Sequence, residues 1–314
     1  MMSFRLVPDQ TNVPFLSFRK IALVVSCVLA LMSVVLLPTK GLNFGIDFKG
    51  GTMIEARMPG DAADIGAMRV ALSDLGLGEV ALQEFGTPVD VLIRVEEQED
   101  DQANQQAVTS VKQALADAFG EDISYRRVET VGAKVSDELY LASAEAVLFA
   151  LIAILAYIWF RFEWQFAVGS IVALVHDVLL TLGIFSLLGL EFNLATVAAL
   201  LTIVGYSLND TVVVYDRVRE NLRKYKKMLL PDLLDRSLND TLARTLMTSV
   251  TTLLALAALY IFGGPVIRDF TFALIWGVLI GTYSSIFIAS PILLFLNLRA
   301  ESVALPSSAE KASP

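Results

Sequence analysis

Gly205-Tyr-Ser-Leu-Asn-Asp-Thr-Val-Val-Val-Tyr-Asp-Arg-Val-Arg-Glu-Asn221 closes an apolar run that opens at Leu194. It places one carboxylate, Asp210, inside a segment long enough to cross a membrane. Mostly Ala, Leu, Val, Ile and Thr precede it, and Thr211 to Tyr215 follow, so no choice of helix ends leaves Asp210 in bulk water. A charge at such depth costs roughly 2.5–3.5 kcal/mol on insertion scales. The residue needs a partner, a water-filled neighbourhood or a proton, and each makes it a candidate for proton or ion handling.

Five further apolar runs surround this one, so that the membrane-crossing segments are about 21–37, 139–160, 164–188, 194–215, 242–262 and 270–298. Each is long enough for about 30 Å of hydrocarbon. With 55% hydrophobic residues and a mean hydropathy of +0.62, the 314-residue chain reads as an integral membrane protein. The first run resembles a signal peptide in its charge and apolar core. Its exit, Leu-Leu-Pro38-Thr-Lys40, offers no small-x-small cleavage site, so it is expected to stay as a first membrane helix. The single cysteine, Cys27, lies in this run and cannot form an intramolecular disulfide.

Charge sets the expected orientation. Residues 38–138 hold 19 acidic and 9 basic side chains, a net −10, against −9 for the whole chain. A nucleic-acid partner is therefore not expected. Of the fifteen basic residues elsewhere, all except Arg268 fall on one side if six helices alternate. Both termini are then cytoplasmic, and 38–138 is exported, to the periplasm in a bacterium. Residues 1–20 form a cytoplasmic lead, 217–239 a basic amphipathic cytoplasmic loop lying on membrane lipid, and 299–314 a disordered cytoplasmic tail.

The exported segment reads as a small α+β domain. Strands are expected at Thr52–Met58, Val80–Phe85, Asp90–Val95 and Ile123–Val131, and helices at Asp61–Leu75 and Gln102–Phe119. The order βαββαβ suggests a ferredoxin-like sandwich. It holds no Cys or His, so a binding role is expected rather than catalysis. Gly50 and Gly51, just after the first helix, suggest a tight bend and a structural hinge where domain meets membrane.

Within the membrane, depth decides which charges can meet. At 1.5 Å per residue, Asp210 lies about 10 Å inside Arg217, and Arg244 about 9 Å inside Leu238 on the returning helix. An Asp–Arg pair at matching depth would lower the burial cost of both and weaken when the Asp is protonated. The same spacing also fits a static pair fixing register, or an Arg that snorkels to lipid phosphate. Thr202, Tyr206, Asn209 and Asp210 share about 100° of arc, and Arg244, Thr248, Thr251 and Thr252 share another face. Two such stripes could line a hydrated path, or their hydroxyls could bond their own helix. His176 and Asp177, mid-way along the third helix, fit either a proton relay or a helix–helix hydrogen bond. In the sixth helix Ala273, Gly277, Gly281, Ser285 and Ala289 recur every four residues, and Gly277 with Gly281 is a GxxxG packing stripe. No His-Glu-x-x-His, Gly-x-Ser-x-Gly or P-loop is present. Enzymatic readings lack their chemistry, no metal or other cofactor is expected, and work must draw on an external gradient or a partner.

These residues together resemble a known family. Gly45-Ile-Asp-Phe-Lys-Gly-Gly51, Leu174-Val-His-Asp177, Glu191-Phe-Asn193, Gly205-Tyr-Ser-Leu-Asn-Asp-Thr211, Arg219-Glu-Asn221, Arg244-Thr-Leu-Met-Thr-Ser249 and Phe262-Gly-Gly264 are similar to the SecF branch of the SecD/SecF protein-export family. The resemblance implies a SecD-like partner, association with the SecYEG channel, and use of the proton gradient to draw preproteins across the bacterial inner membrane. It relates the fold to resistance-nodulation-division transporters, and Asp210 and Arg244 match positions implicated in proton movement. A small-molecule exporter of that class, or a purely structural translocon subunit, remain the competing expectations.

Overall fold

The computed structural model describes residues 11–296 and 298. The expected tail 299–314 and the first ten residues of the lead lie outside the described residues. Among the described residues, six helices are long and apolar enough to cross a membrane. They are α1 (Arg19–Thr39), α5 (Ala133–Arg161), α6 (Trp164–Leu188), α7 (Leu194–Lys224), α8 (Leu230–Phe262) and α9 (Arg268–Ser284). The last continues through a π-helical turn (Ser285–Ala289) into α10 (Ser290–Phe295). Between α1 and α5 lie α2 (Ile46–Lys49), α3 (Ile65–Ser73) and α4 (Asp101–Phe119) with strands β1 (Asn43–Phe44), β2 (Gly51–Arg57), β3 (Val80–Phe85), β4 (Thr87–Val95) and β5 (Ser124–Val131). A last short strand, β6 (Glu191–Phe192), joins α6 to α7.

Several boundaries differ from those read off the sequence. Pro38 lies inside α1 rather than closing it. The amphipathic stretch 217–239 is not a surface loop: it is divided between the ends of α7 and α8, leaving only a short link. Its leucines explain this, because Leu233, Leu234 and Leu238 pack into the bundle core with Leu16, Tyr215 and Val218 rather than against lipid. Polar groups zip the two helix ends together, with Asn221 Nδ2 donating to Ser237 Oγ at 2.9 Å and Arg217 Nε to Asp240 Oδ2 at 2.9 Å. The first domain helix starts at Ile65, where Asp64 accepts from Ala67 N as the cap, and not at Asp61.

The domain sheet has the order β3-β4-β2-β5 with every neighbouring pair antiparallel, the split arrangement that βαββαβ connectivity produces. Ile54 and Ala56 of β2 pair with Ile93 and Val91 of β4. Because side chains alternate along a strand, these four share a face and pack against Met68 and Leu72 of α3 and Val111 and Leu115 of α4. The opposite face carries a charged cluster. Buried Asp90 accepts from Arg57 Nε and Nη2 at 2.8 and 2.9 Å and from Thr87 Oγ1 at 2.6 Å, with Arg126 at 3.6 Å. The Arg57 hydrogen bonds hold its carboxyl down at about 2. A depressed folded value stabilises the fold above the ordinary carboxylate range and loses that contribution as pH falls toward 2. Asp90→Asn should cost about 1–2 kcal/mol at neutral pH and flatten this acid limb. Hydrogen exchange of the β2 and β4 amides as a function of pH measures both.

In the bundle, α6, α7 and α9 form a buried inner trio, while α1, α5 and α8 leave most of their apolar surface uncovered. Small residues set the spacing of the trio. A Cβ on Gly277 would lie 2.2 Å from Ile203 Cγ1, and one on Gly281 3.0 Å from Ser207 Cβ, so the α7–α9 contact depends on glycine at the first site.

Candidate functional site

The close approach of α9 to α7 decides what Asp210 meets. Its side chain is 8% exposed, and Oδ2 accepts from Ser285 Oγ at 2.6 Å. The expected direct contact with Arg244 is not formed: among the described residues no ion pair joins them, and Arg244 lies on the exposed side of α8, near enough for a Coulombic interaction only. The reason is rotational. α7 turns Asp210 toward the small-residue face of α9, and α8 packs on a neighbouring face with Thr245 turned inward. Thr245 Oγ1 is buried beside the carboxylate but outside hydrogen-bonding geometry. Tyr206 OH reaches Ser249 Oγ at 3.3 Å, and Ser249 Oγ meets Thr282 Oγ1 at 2.7 Å, so a polar chain crosses α7, α8 and α9. Asn209 is exposed and takes no part in it. The hydroxyls of Thr202, Thr248 and Thr251 donate to carbonyls four residues back in their own helices, at 2.8, 2.9 and 2.8 Å.

A second carboxylate sits deeper. Asp177 is fully buried, with Oδ1 3.0 Å from His176 Nδ1 and Oδ2 accepting from Ser207 Oγ at 2.5 Å and Ser284 Oγ at 2.7 Å. It therefore ties α6 to α7 and α9. The His176 ring lies over Tyr283 at 6.1 Å, and Tyr283 OH donates to Ala22 O of α1 at 2.9 Å. Sequence reasoning placed His176, Asp177 and Asp210 but not Ser207, Ser284 or Ser285. The available signal was a serine in the four-residue stripe of α9, where the small size of Ser285 reads as packing.

The junction between the helical bundle and the α+β domain is built from both. β1 and β6 pair in parallel, with Asn43 opposite Glu191 and Phe44 opposite Phe192. Asp47 Oδ2 accepts from Leu194 N at 2.9 Å, so α2 caps the start of the helix that carries Asp210, where Asn193 and Thr196 form a capping box. Arg94 of β4 forms an ion pair with Glu191 through Nη2 and donates from Nη1 to Asn43 Oδ1 at 3.1 Å. Glu191 N in turn donates to Asp269 Oδ2 of α9 at 3.1 Å. Burial pushes the Glu191 carboxyl above its ordinary range in spite of Arg94. None of these cross-links was foreseen, although Gly45-Ile-Asp47 and Glu191-Phe-Asn193 both stand in the motif set quoted above.

The family model described as the C-terminal region of protein export membrane protein SecD/SecF matches residues 110–299. The chain belongs to the SecD/SecF family. The SecD/SecF GG motif matches residues 35–58, which contain Gly50 and Gly51. Both adopt positive φ, +71° and +102°, and a Cβ on Gly51 would lie 2.4 Å from Val95 O, so the motif makes a left-handed corner pressed against β4. Curated relatives include protein translocase subunit SecF of Rickettsia rickettsii (strain Sheila Smith), 46% identical over 93% of this chain and 95% of that protein. SecF of Rhodobacter capsulatus is 49% identical over 95% of this chain and 93% of its own length. Among solved structures, SecDF from Thermus thermophilus, described as a translocon-associated membrane protein, superposes with a TM-score of 0.83 at 36% identity over 95% of this chain. SecDF in a super-membrane-facing form gives 0.66 at 34% identity. The chain spans 40% of the length of each of those SecDF chains. By kinship with SecF it is a multi-pass protein translocase subunit, and its small domain between the first two membrane helices is part of the family fold.

Proposed function

We propose that this SecF-type chain works with a SecD-like subunit beside the SecYEG channel, using the proton gradient to promote preprotein translocation across the bacterial inner membrane. The observation that carries this reading is Asp210: a nearly buried carboxylate bonded to a hydroxyl, with a membrane-depth arginine nearby but unpaired with it. Such a group gains or loses a proton at small structural cost and changes the local charge balance when it does. One charge moving through 100 mV releases about 2.3 kcal/mol, comparable to the rearrangement of one such contact. The exposed stripe of Asn209, Arg244, Thr248 and Thr251 supports a partner, because polar groups facing hydrocarbon are costly and a neighbouring bundle would cover them. Orientation follows the basic residues, with both ends cytoplasmic and the α+β domain periplasmic, where it meets emerging preprotein.

Motion has a route outward in this reading. A shift of α7 is passed through its cap at Asn193 and the Glu191–Arg94 contact to β4, with the Gly50–Gly51 corner setting the angle of β2. The test uses the assembled complex. Mild-detergent purification followed by mass spectrometry should return a SecD-like chain with this one. Membrane vesicles should lose at least about tenfold of their gradient-stimulated export when this chain is depleted and regain it on its return. Recovery of the chain without such a partner, or unchanged stimulation after depletion, overturns the proposal.

A further inference from the structure

We propose that Ser284 and Ser285, at the start of the π-helical turn of the sixth membrane helix, are positioning residues that join Asp210 and the His176–Asp177 pair into one two-site proton unit. This deepens the reading above and rests on it. The two carboxylates stand on different helices, α7 and α6, yet each is held by one of two consecutive hydroxyls where α9 runs into the π-helical turn. Ser285 Oγ lies 2.6 Å from Asp210 Oδ2 and 3.0 Å from Thr282 O. Ser284 Oγ lies 2.7 Å from Asp177 Oδ2 and 3.1 Å from Gly281 O. The same choice is built twice: a hydroxyl has one proton and here faces two acceptors, a carboxylate and the carbonyl three residues back.

An ionised carboxylate wins that proton, since charge-assisted bonds are shorter and stronger. Once the carboxylate is protonated, its own O–H donates to the serine oxygen, and the serine proton turns to the chain carbonyl. The one bond formed is the carboxyl O–H, its proton comes from the gradient, and the serine keeps its own O–H throughout. Because the serines are consecutive, a rotation of the turn that frees one from its carboxylate moves the other as well.

The turn is suited to moving. π-helical turns are irregular insertions in α-helices, frequently found at functional sites. Pro291 supplies no N–H to the carbonyls one turn back, and Ser290 Oγ donates to Ser285 O at 3.0 Å. His176 offers the second site a place for a proton. It is 7% exposed, Nδ1 contacts Asp177, and buried Nε2 has no hydrogen-bond partner among the described residues. Among the described residues, the charged or titratable groups set near the unit include Arg244 from α8, Tyr206 from α7 and Tyr283 from α9, while α1 contributes the neutral Ser26 through Tyr283.

The experiment measures gradient-stimulated export by the complex in vesicles against pH. The wild type should show a steep transition, steeper than one proton gives. Ser284→Ala and Ser285→Ala should each flatten it to a one-proton slope and move its midpoint by about one pH unit, a roughly tenfold rate change at fixed pH. Ser284→Thr and Ser285→Thr, which keep the hydroxyl, should restore the wild-type profile. Should an alanine variant fail to assemble, infrared carboxyl bands decide: the band removed by Asp177→Asn should shift when Asp210 becomes Asn. Wild-type profiles in both alanine variants, or an Asp177 band indifferent to Asp210, overturn the coupling even where Asp210→Asn stops stimulation. Stimulation that survives Asp210→Asn sinks the underlying proton reading instead.

Discussion

With asparagine at position 210, gradient-stimulated export in vesicles should fall to the level seen without a gradient, while the complex is recovered in wild-type amount. The two halves of this expectation have separate causes. Asparagine keeps the volume of the side chain and its carbonyl can still accept from Ser285 Oγ, which bonds Asp210 at 2.6 Å. It also removes a charge whose insertion costs roughly 2.5–3.5 kcal/mol, so the variant should unfold no more readily than the parent. What it cannot do is bind and release a proton near neutral pH. Loss of stimulation with normal assembly therefore reports chemistry and not damage. Full stimulation in this variant would show that the carboxylate only fixes helix packing. Arg244→Gln distinguishes further: Arg244 forms no direct pair with Asp210, so its effect should fall on the pH midpoint more than on assembly.

Cutting the link between bundle and domain should have the second large effect. Arg94→Met leaves Glu191 in its half-enclosed position beside Asp269 and Asp47, both of its own sign. Removing one member of a partly buried ion pair costs about 3 kcal/mol or more, because the remaining charge keeps its desolvation penalty. The β1–β6 pairing should open first, seen as faster hydrogen exchange at Phe44 and Gly45, whose amide donates to Phe192 O at 2.9 Å. The pH dependence gives the sign. Burial raises the Glu191 carboxyl in the folded state, so its contribution favours the junction below the ordinary glutamate range and is lost as pH rises through the raised value. In Arg94→Met the opening should accordingly be partly reversed by acid, and Glu191→Gln should remove that reversal. Exchange at the junction that ignores both substitutions would mean that the contact carries no load.

Much of this was legible in the sequence. Length and apolarity alone put six helices in a membrane, since a run of about twenty apolar residues has few other solutions. Alternation and turn residues between Thr52 and Val131 indicated the βαββαβ order, and the β2–β4 register then follows from which residues must face α3 and α4. Asp210, His176 and Asp177 stood out because a polar group in an apolar run needs an explanation whatever the fold.

Partner choice was another matter. Depth along a helix follows from counting residues, and it matched Asp210 with Arg244; azimuth about the helix axis follows from packing, and it gave Asp210 to Ser285. Leucines at 233, 234 and 238 looked like a lipid-facing stripe because an apolar side chain carries no mark of whether protein or acyl chain will cover it. The sequence by itself determined which groups had to leave water, since that depends on chain-local hydrophobicity and length. Only the tertiary structure decided who meets whom, since glycine-scale differences in how closely α9 approaches α7 rotate one face toward another and leave no signature in either helix alone.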